Sequence, residues 1–310
     1  MSPLSLFSHG KLLVTGEYAV LDGAKALALP TKFGQYLHFV PVEEKSVLKW
    51  ESYSRRGDCW FSAEWETDTL KVIKGEGLPE TEKLTTLFKV MQVEKGIPPS
   101  FFRGVIKTHL DFERDWGLGT SSTLISLISK WTNLNPYYLL EKSFGGSGYD
   151  IAAAEAKGPI LYHRIMENLY EPIVNPVHFN PTFLNRIYFL YSGKKKNSRE
   201  GIKAYKSRST NALYLSDISE LTDKIVSSDN FTDFCELIKT HETITGNHLN
   251  LIPVQKEYFS DFPGVIKSLG AWGGDFFMII TEMSSNEVSS YFTHRGFETL
   301  FTYEELIFSE

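Results

Sequence analysis

The chain has 310 residues, 42% of them hydrophobic, a formal charge of −6 at pH 7 and a pI near 5.8. That length holds one large domain or two ordinary ones, and the apolar content excludes global disorder. The acidic balance excludes a broad nucleic-acid surface, and two distant cysteines, Cys59 and Cys235, exclude structural zinc and predict a reducing cytoplasm.

The N-terminal residues carry no basic segment leading into an apolar run, and no apolar stretch approaches ~18 residues, so no leader or membrane anchor is expected. Short apolar runs at 12–14, 18–21 and 26–29 predict strands, with Asp22-Gly23 as a hairpin turn between two of them. A further strand is predicted from Phe33 to Val40, then a hairpin of 47–53 and 58–66 turning at Arg55–Asp58. The aromatics of that hairpin (Trp50, Tyr53, Trp60, Phe61, Trp65) read as sheet faces rather than a base-stacking platform. Pro79 opens a helix with Leu84, Leu87, Phe88 and Met91 on one face, stopping at Gly96 and Pro98.

Phe102 to Phe112 predicts a strand that runs into Asp115-Trp116-Gly117-Leu118-Gly119-Thr120-Ser121-Ser122-Thr123. Two glycines permit close backbone approach, and the apolar run from Leu124 predicts a helix with a partial positive charge at its start. This is a phosphate cradle in outline, with Thr120, Ser121 or Ser122 capping the helix or reaching a metal. A plain loop entering a capped helix reads equally well from these residues alone. No Gly-Lys-Ser/Thr ends the loop and no GxGxxG is present there, so neither a P-loop nor a Rossmann fingerprint applies.

Next, Gly145, Gly146 and Gly148 precede Asp150 and a small-residue helix, a bend that aims one carboxylate or merely caps that helix. Ile160–Tyr162 predicts a strand, and the Pro- and Asn-rich residues 166–182 a crossover to a second domain. The domains are placed at 1–185 and 186–310. In the second, 187–191 predicts a buried strand that ends at Ser192-Gly193-Lys194-Lys195-Lys196, a solvated charge run or a phosphate-binding one. Helices are predicted at 215–226, 230–248, 252–259 and 285–295, with strands at 276–281 and 299–302. The glycines of Gly270-Ala271-Trp272-Gly273-Gly274-Asp275 predict a close approach by backbone or ligand. Strands first, then helix–strand–loop–helix, give an α+β class rather than a doubly wound sheet.

Three of these segments, in order, resemble the motifs of the GHMP kinases. Gly10-Lys11-Leu12-Leu13-Val14-Thr15-Gly16-Glu17-Tyr18 is similar to the N-terminal motif, Gly117–Ser122 to the Gly-Leu-Gly-Ser-Ser loop, and Gly270–Asp275 to the C-terminal glycine motif. The resemblance implies a two-domain fold: an N-terminal domain like domain 2 of ribosomal protein S5 and a ferredoxin-like C-terminal domain, with the site between them. It implies ATP and Mg²⁺ as cofactors and a small-molecule acceptor, with no nucleic-acid or membrane partner. Monomer and homodimer stay open.

Carried over position by position, Asp150 and Lys11 are the implied catalytic pair. Gly117, Leu118, Gly119, Thr120, Ser121 and Ser122 hold the nucleotide, and Ser121 with Glu141 the metal. Lys11, Glu17, Gly148, Gly270, Ala271, Gly273, Gly274, Lys194 and Lys196 face the acceptor. Within the family, Trp116-Gly117-Leu118-Gly119 and Gly146-Ser147-Gly148-Tyr149-Asp150 resemble phosphomevalonate kinase more than mevalonate kinase. His9, Leu269 and Trp272 depart from the family pattern. A mevalonate kinase, the related decarboxylase and a catalytically silent ligand sensor are the alternatives.

Overall fold

A computed structural model describes residues 2–42, 46–194, 198–208, 210–270 and 274–310. Lys195, Lys196, Ala271, Trp272 and Gly273, named above, lie outside the described residues.

Strand β1 (Leu4–Leu13) lies antiparallel on β2 (Ala26–Pro41). The runs at 26–29 and 33–40 are therefore one strand. Pro30, which has no N–H for the ladder, falls where the register shifts between His9 and Lys11, so the strand continues through it. The expected hairpin at Asp22-Gly23 is instead a 3₁₀ turn over Ala19–Asp22. Ala19, Val20 and Leu21 are all buried, and Gly23 closes the turn in the left-handed region at φ 91°.

The hairpin of β3 (Val47–Tyr53) and β4 (Cys59–Glu66) forms as predicted, with short β5 (Val72–Lys74) added at its edge. Trp50, Phe61 and Trp65 are buried against Leu84, Leu87 and Phe88 of helix α1 (Pro79–Lys89). A π-helical turn, Val90–Glu94, carries Met91 into the same core. β6 (Gly104–Leu110) pairs parallel with β3 and antiparallel with β2, and leads through the glycine loop into α2 (Thr120–Thr132). Helices α3 (Pro136–Ser143) and α4 (Tyr149–Glu155) follow. Then β7 (Ile160–His163) pairs with β2, and β8 (Ile173–Pro176) with β7. β8 lies inside the predicted crossover. Its side chains are exposed or half-buried on both faces, so it shows no period-2 signal. The mixed eight-stranded sheet runs β5-β4-β3-β6-β2-β7-β8, with β1 on β2.

The second sheet is antiparallel. β9 (Ile187–Tyr191) is followed by α5 (Ser198–Lys206), α6 (Ala212–Ser227), α7 (Phe231–Leu249) and α8 (Val254–Tyr258). The chain closes with β10 (Val265–Leu269), β11 (Phe276–Ile280), α9 (Ser285–Thr293), β12 (Leu300–Thr302) and α10 (Tyr303–Leu306). The order β10-β11-β9-β12 is the ferredoxin-like arrangement. One hydrophobic cluster spans both sheets, from Leu12 and Leu29 through Trp116 and Leu118 to Phe276 and Tyr303. The C-terminal residues return to the first sheet, where Phe308 donates its N–H to Pro30 O and stacks on His9. His9, a departure from the family pattern, thus has a packing partner.

Candidate functional site

The site forms where the end of β1, the glycine loop, the start of α4 and the start of β11 converge. Gly117 and Gly119 adopt φ of 69° and 95°, a region that costs a side-chain-bearing residue strain. A Cβ on Gly117 would lie 1.9 Å from the Asp275 carboxylate, and one on Gly119 2.5 Å from Ser122 Oγ. The loop therefore sits hard against Asp275 of the second sheet.

Gly119 is the N-cap of α2 and no side chain caps the helix. The sequence offered Thr120, Ser121 and Ser122 for that task, but the N-cap position falls on Gly119 before all three, and Thr120 is half-buried in the first turn. Ser122 Oγ donates to Gly119 O at 2.8 Å, and Thr123 Oγ1 contacts Gln35 Oε1 at 2.6 Å. Ser121 is exposed. The N–H groups of the first turn of α2 have no intrahelical acceptor, the arrangement that binds anionic oxygen. α2 is also more buried than its pattern predicts: Ser126 and Ser129 are interior, Ser126 through a 2.8 Å contact with Ser8 of β1.

Lys11 is fastened to this loop twice. Its backbone N–H donates to Leu118 O and its Nζ to Gly117 O, both at 3.0 Å. Its ammonium lies 5.8 Å from the Tyr149 ring centroid. Burial lowers the Lys11 pKa, and the Asp150 and Asp275 carboxylates pull the other way. Across from it, burial raises the Asp150 pKa, against the opposing effects of Lys11 and of a Ser122 hydrogen bond. One Asp150 oxygen accepts from Ile151 N–H at 3.1 Å. Gly148, at φ 89°, precedes this carboxylate because Tyr162 Oη would stand 2.8 Å from any Cβ there. The structure thus brings Lys11, Gly117–Ser122, Gly148 and Asp150 to one place and adds Asp275, which motif matching had left without a role.

Other expected residues sit differently. Glu17 is 1% exposed and forms an ion pair with Lys267 rather than lining an open surface. Glu141 accepts from Arg164 at 2.7 Å, so its charge is already matched. Lys194 is exposed, two residues after Ser192, whose N–H donates to Asp275 O at 2.9 Å. Gly270 has φ 74°, and a Cβ on Gly274 would meet Leu269 O at 2.6 Å. Trp116 is a packing residue, 6% exposed, against Phe33 of β2 and Tyr191, Phe276 and Phe301 of the second sheet. The sequence reading matched Lys267-Ser268 to the third motif but gave Lys267 no site role; the further signal was an isolated charge inside an apolar strand run.

Among the described residues, no group of three His, Cys, Asp or Glu side chains could hold a metal. Magnesium tolerates this, since it keeps waters and takes substrate phosphates with only one or two protein oxygens. No helix among the described residues is long and apolar enough to cross a membrane.

No family model matches the chain, and no curated protein matches it by sequence. Solved structures do. The Streptococcus pneumoniae phosphomevalonate kinase in complex with phosphomevalonate and AMPPNP superposes with a TM-score of 0.71 at 17% identity, over 96% of this chain and 99% of that one. The Methanococcus jannaschii mevalonate kinase gives 0.70 at 15% identity, over 100% and 99%. The Lactococcus lactis galactokinase complexed with galactose gives 0.64 at 14%, over 99% and 94%.

Proposed function

We propose, for a chain that has the GHMP-kinase fold, that it is an ATP- and Mg²⁺-dependent kinase acting on the hydroxyl of a small molecule, with phosphomevalonate as the acceptor and mevalonate the next choice. Residues 1–185 would hold the nucleotide and 186–310 would complete the acceptor site.

One observation carries the reading: the Lys11 ammonium rests on the carbonyl of Gly117 at the mouth of an uncapped helix, with the Asp150 carboxylate beside it. Phosphoryl transfer needs positioning and charge neutralisation more than covalent help. Glycine-loop N–H groups take the phosphate oxygens, and Lys11 balances charge that grows on them. Asp150 accepts the acceptor's proton as the new O–P bond forms and the bond to the ADP oxygen breaks. Mg²⁺, when bound, offsets phosphate charge, and Ser121 is the exposed hydroxyl placed to reach it. Glu141 is left out of that set, because it already pairs with Arg164. The preference for a phosphorylated acceptor rests on Lys194 near the Asp275 end of the site, on the Trp116-Gly117 entry, and on the phosphomevalonate kinase among the structural neighbours.

A steady-state screen with ATP against phosphomevalonate, mevalonate, galactose and a heptose phosphate tests this. Turnover with phosphomevalonate at the highest kcat/KM is expected. A folded sample that binds ATP yet turns over none of them would overturn the kinase reading. A ligand response that survives Asp150→Ala would then favour the sensor.

A further inference from the structure

Lys267 is fully buried in the middle of β10. It pairs with Glu17 of the turn after β1, stands 3.4 Å from Glu242 Oε2 of α7, and donates to Ser268 O at 3.0 Å. His241, also of α7, accepts from Gly16 N–H through Nε2 at 3.1 Å, which leaves it neutral with its proton on Nδ1. Burial keeps its pKa well below the ordinary range, and Lys267 adds to this. Two carboxylates therefore share one ammonium in the interior. Glu17 Oε2, Glu242 Oε2, His241 Nδ1 and Ser268 Oγ are buried without a hydrogen-bond partner among the described residues.

Such a cluster is a poor way merely to join two layers, since apolar side chains of equal volume are often as stable or more so. Its distinctive effect is geometric. The Gly16–Tyr18 turn is held by groups from the second sheet and its helices, and Tyr18 sits at φ 59°, an outlier for a bulky residue. The Tyr149 ring lies between the two regions: Lys11 Nζ is 5.8 Å from its centroid, and the ring packs against the cluster of Leu13, Val20 and Ala26 that brackets the Gly16–Tyr18 turn. Burial, then Asp150 and Glu17, hold its phenol pKa well above the ordinary value.

We propose that Lys267 is a positioning residue: by pairing with Glu17 it sets the Gly16–Tyr18 turn from the opposite sheet, and through Tyr149 it fixes Lys11 over the phosphate loop. The catalytic consequence rests on the kinase reading above. Neither Lys267 nor Glu17 touches substrate in this scheme.

Lys267→Met alone strands two buried carboxylates and can fail to fold, so the decisive variant is the neutral triple Glu17→Gln, Glu242→Gln, Lys267→Met. Melting, kcat, KM and the rate of Lys11 labelling by an amine-reactive ester, read by mass spectrometry across pH, are compared with the unaltered protein. Positioning predicts a triple variant that melts normally and keeps KM for ATP, with kcat down about 30-fold or more and Lys11 labelling changed by about fivefold. Lys267→Arg, which keeps the cation, is expected to recover kcat to within roughly tenfold of normal. A stable triple variant with normal kcat and normal Lys11 labelling overturns the proposal. If the unaltered protein phosphorylates no acceptor, the kinase reading fails by itself, and the labelling result still decides whether Lys267 positions Lys11.

Discussion

Two ammonium groups in this molecule each stand beside two carboxylates, and their surroundings give them opposite characters. Lys11 has Asp150 and Asp275 near it but hydrogen-bonds a carbonyl, and burial wins, lowering its pKa. Lys267 contacts Glu17 directly and Glu242 at 3.4 Å, and although burial opposes its charge, those carboxylates raise its pKa above the ordinary value. The first side chain is half-buried at a glycine loop, while the second is 0% exposed. Direct pairing in a sealed interior commits the charge to holding two segments together. Offset carboxylates at an open loop leave an ammonium able to meet an incoming anion. Contact and access, rather than residue type, separate the binding group from the fastening group.

The largest effects should come from the open trio. Asp150→Asn removes the proposed proton acceptor without changing volume, and kcat should fall by roughly 10²–10⁴ with a near-normal melting temperature. Lys11→Met should lower kcat to a similar extent. A rate near normal in Asp150→Asn would show that the carboxylate is only a helix-start residue. The acid limb of the unaltered protein's pH–rate profile is expected above the ordinary aspartate range, because burial raises the Asp150 pKa.

Stability should reverse the order. Lys267→Met leaves Glu17 and Glu242 buried without their cation, and breaking such a pair costs about 3–5 kcal/mol. Lys11→Met removes a partly accessible cation and should cost less than about 1 kcal/mol by chemical denaturation. Equal losses in the two variants would erase the distinction between them.

How far each trio could be read from the sequence follows from the same contrast. Lys11 follows Gly10 at the register shift in β1, and Gly117–Ser122 and Asp150 lie in or just after glycine-rich turns, where the backbone itself constrains the residue string. Strand β3 and helix α1 were readable because one face of each is buried, which imposes a period. β2 was harder, since only its register with β1 explains how a strand passes through Pro30. β8, exposed along the edge, had no period to show. Lys267 and Glu17 lie 250 residues apart, and only tertiary packing makes either a partner of the other. Asp275 was visible as the end of a motif, but its place as the wall behind Gly117 depends on a loop that leads out of the other sheet.

The sealed trio should also leave a signature in the pH dependence of stability. Burial pushes the Glu17 pKa up to about 7 from 4.5, with Lys267 opposing, because one ammonium cannot neutralise two carboxylates. A folded-state pKa above the unfolded one means that the native protein binds the proton more tightly. The resulting stabilisation is complete below the unfolded pKa and is lost as pH rises through about 7. Denaturation free energy should therefore decline by on the order of 2 kcal/mol between pH 5 and pH 8, and Glu17→Gln should flatten that decline. A slope unchanged in Glu17→Gln would move the titrating proton to Glu242, whose pKa burial also raises.

The smallest effect separates two neighbouring hydroxyls. Ser122 is 1% exposed and its single O–H lies at Gly119 O; turned to the Asp150 carboxylate instead, it favours the ionised form. Ser121 is exposed at the same helix start. Ser122→Ala should move the acid limb of the pH–rate profile upward, since the carboxylate loses a donor, and lower kcat only a few-fold at the plateau, about the worth of one hydrogen bond. Ser121→Ala should leave that limb in place and raise the Mg²⁺ concentration needed for half-maximal rate. If both variants shift the acid limb alike, the two hydroxyls act on Asp150 together and the metal has no separate contact at Ser121. Burial predicts that they divide the work: the enclosed hydroxyl tunes the base, and the exposed one faces the nucleotide's cation.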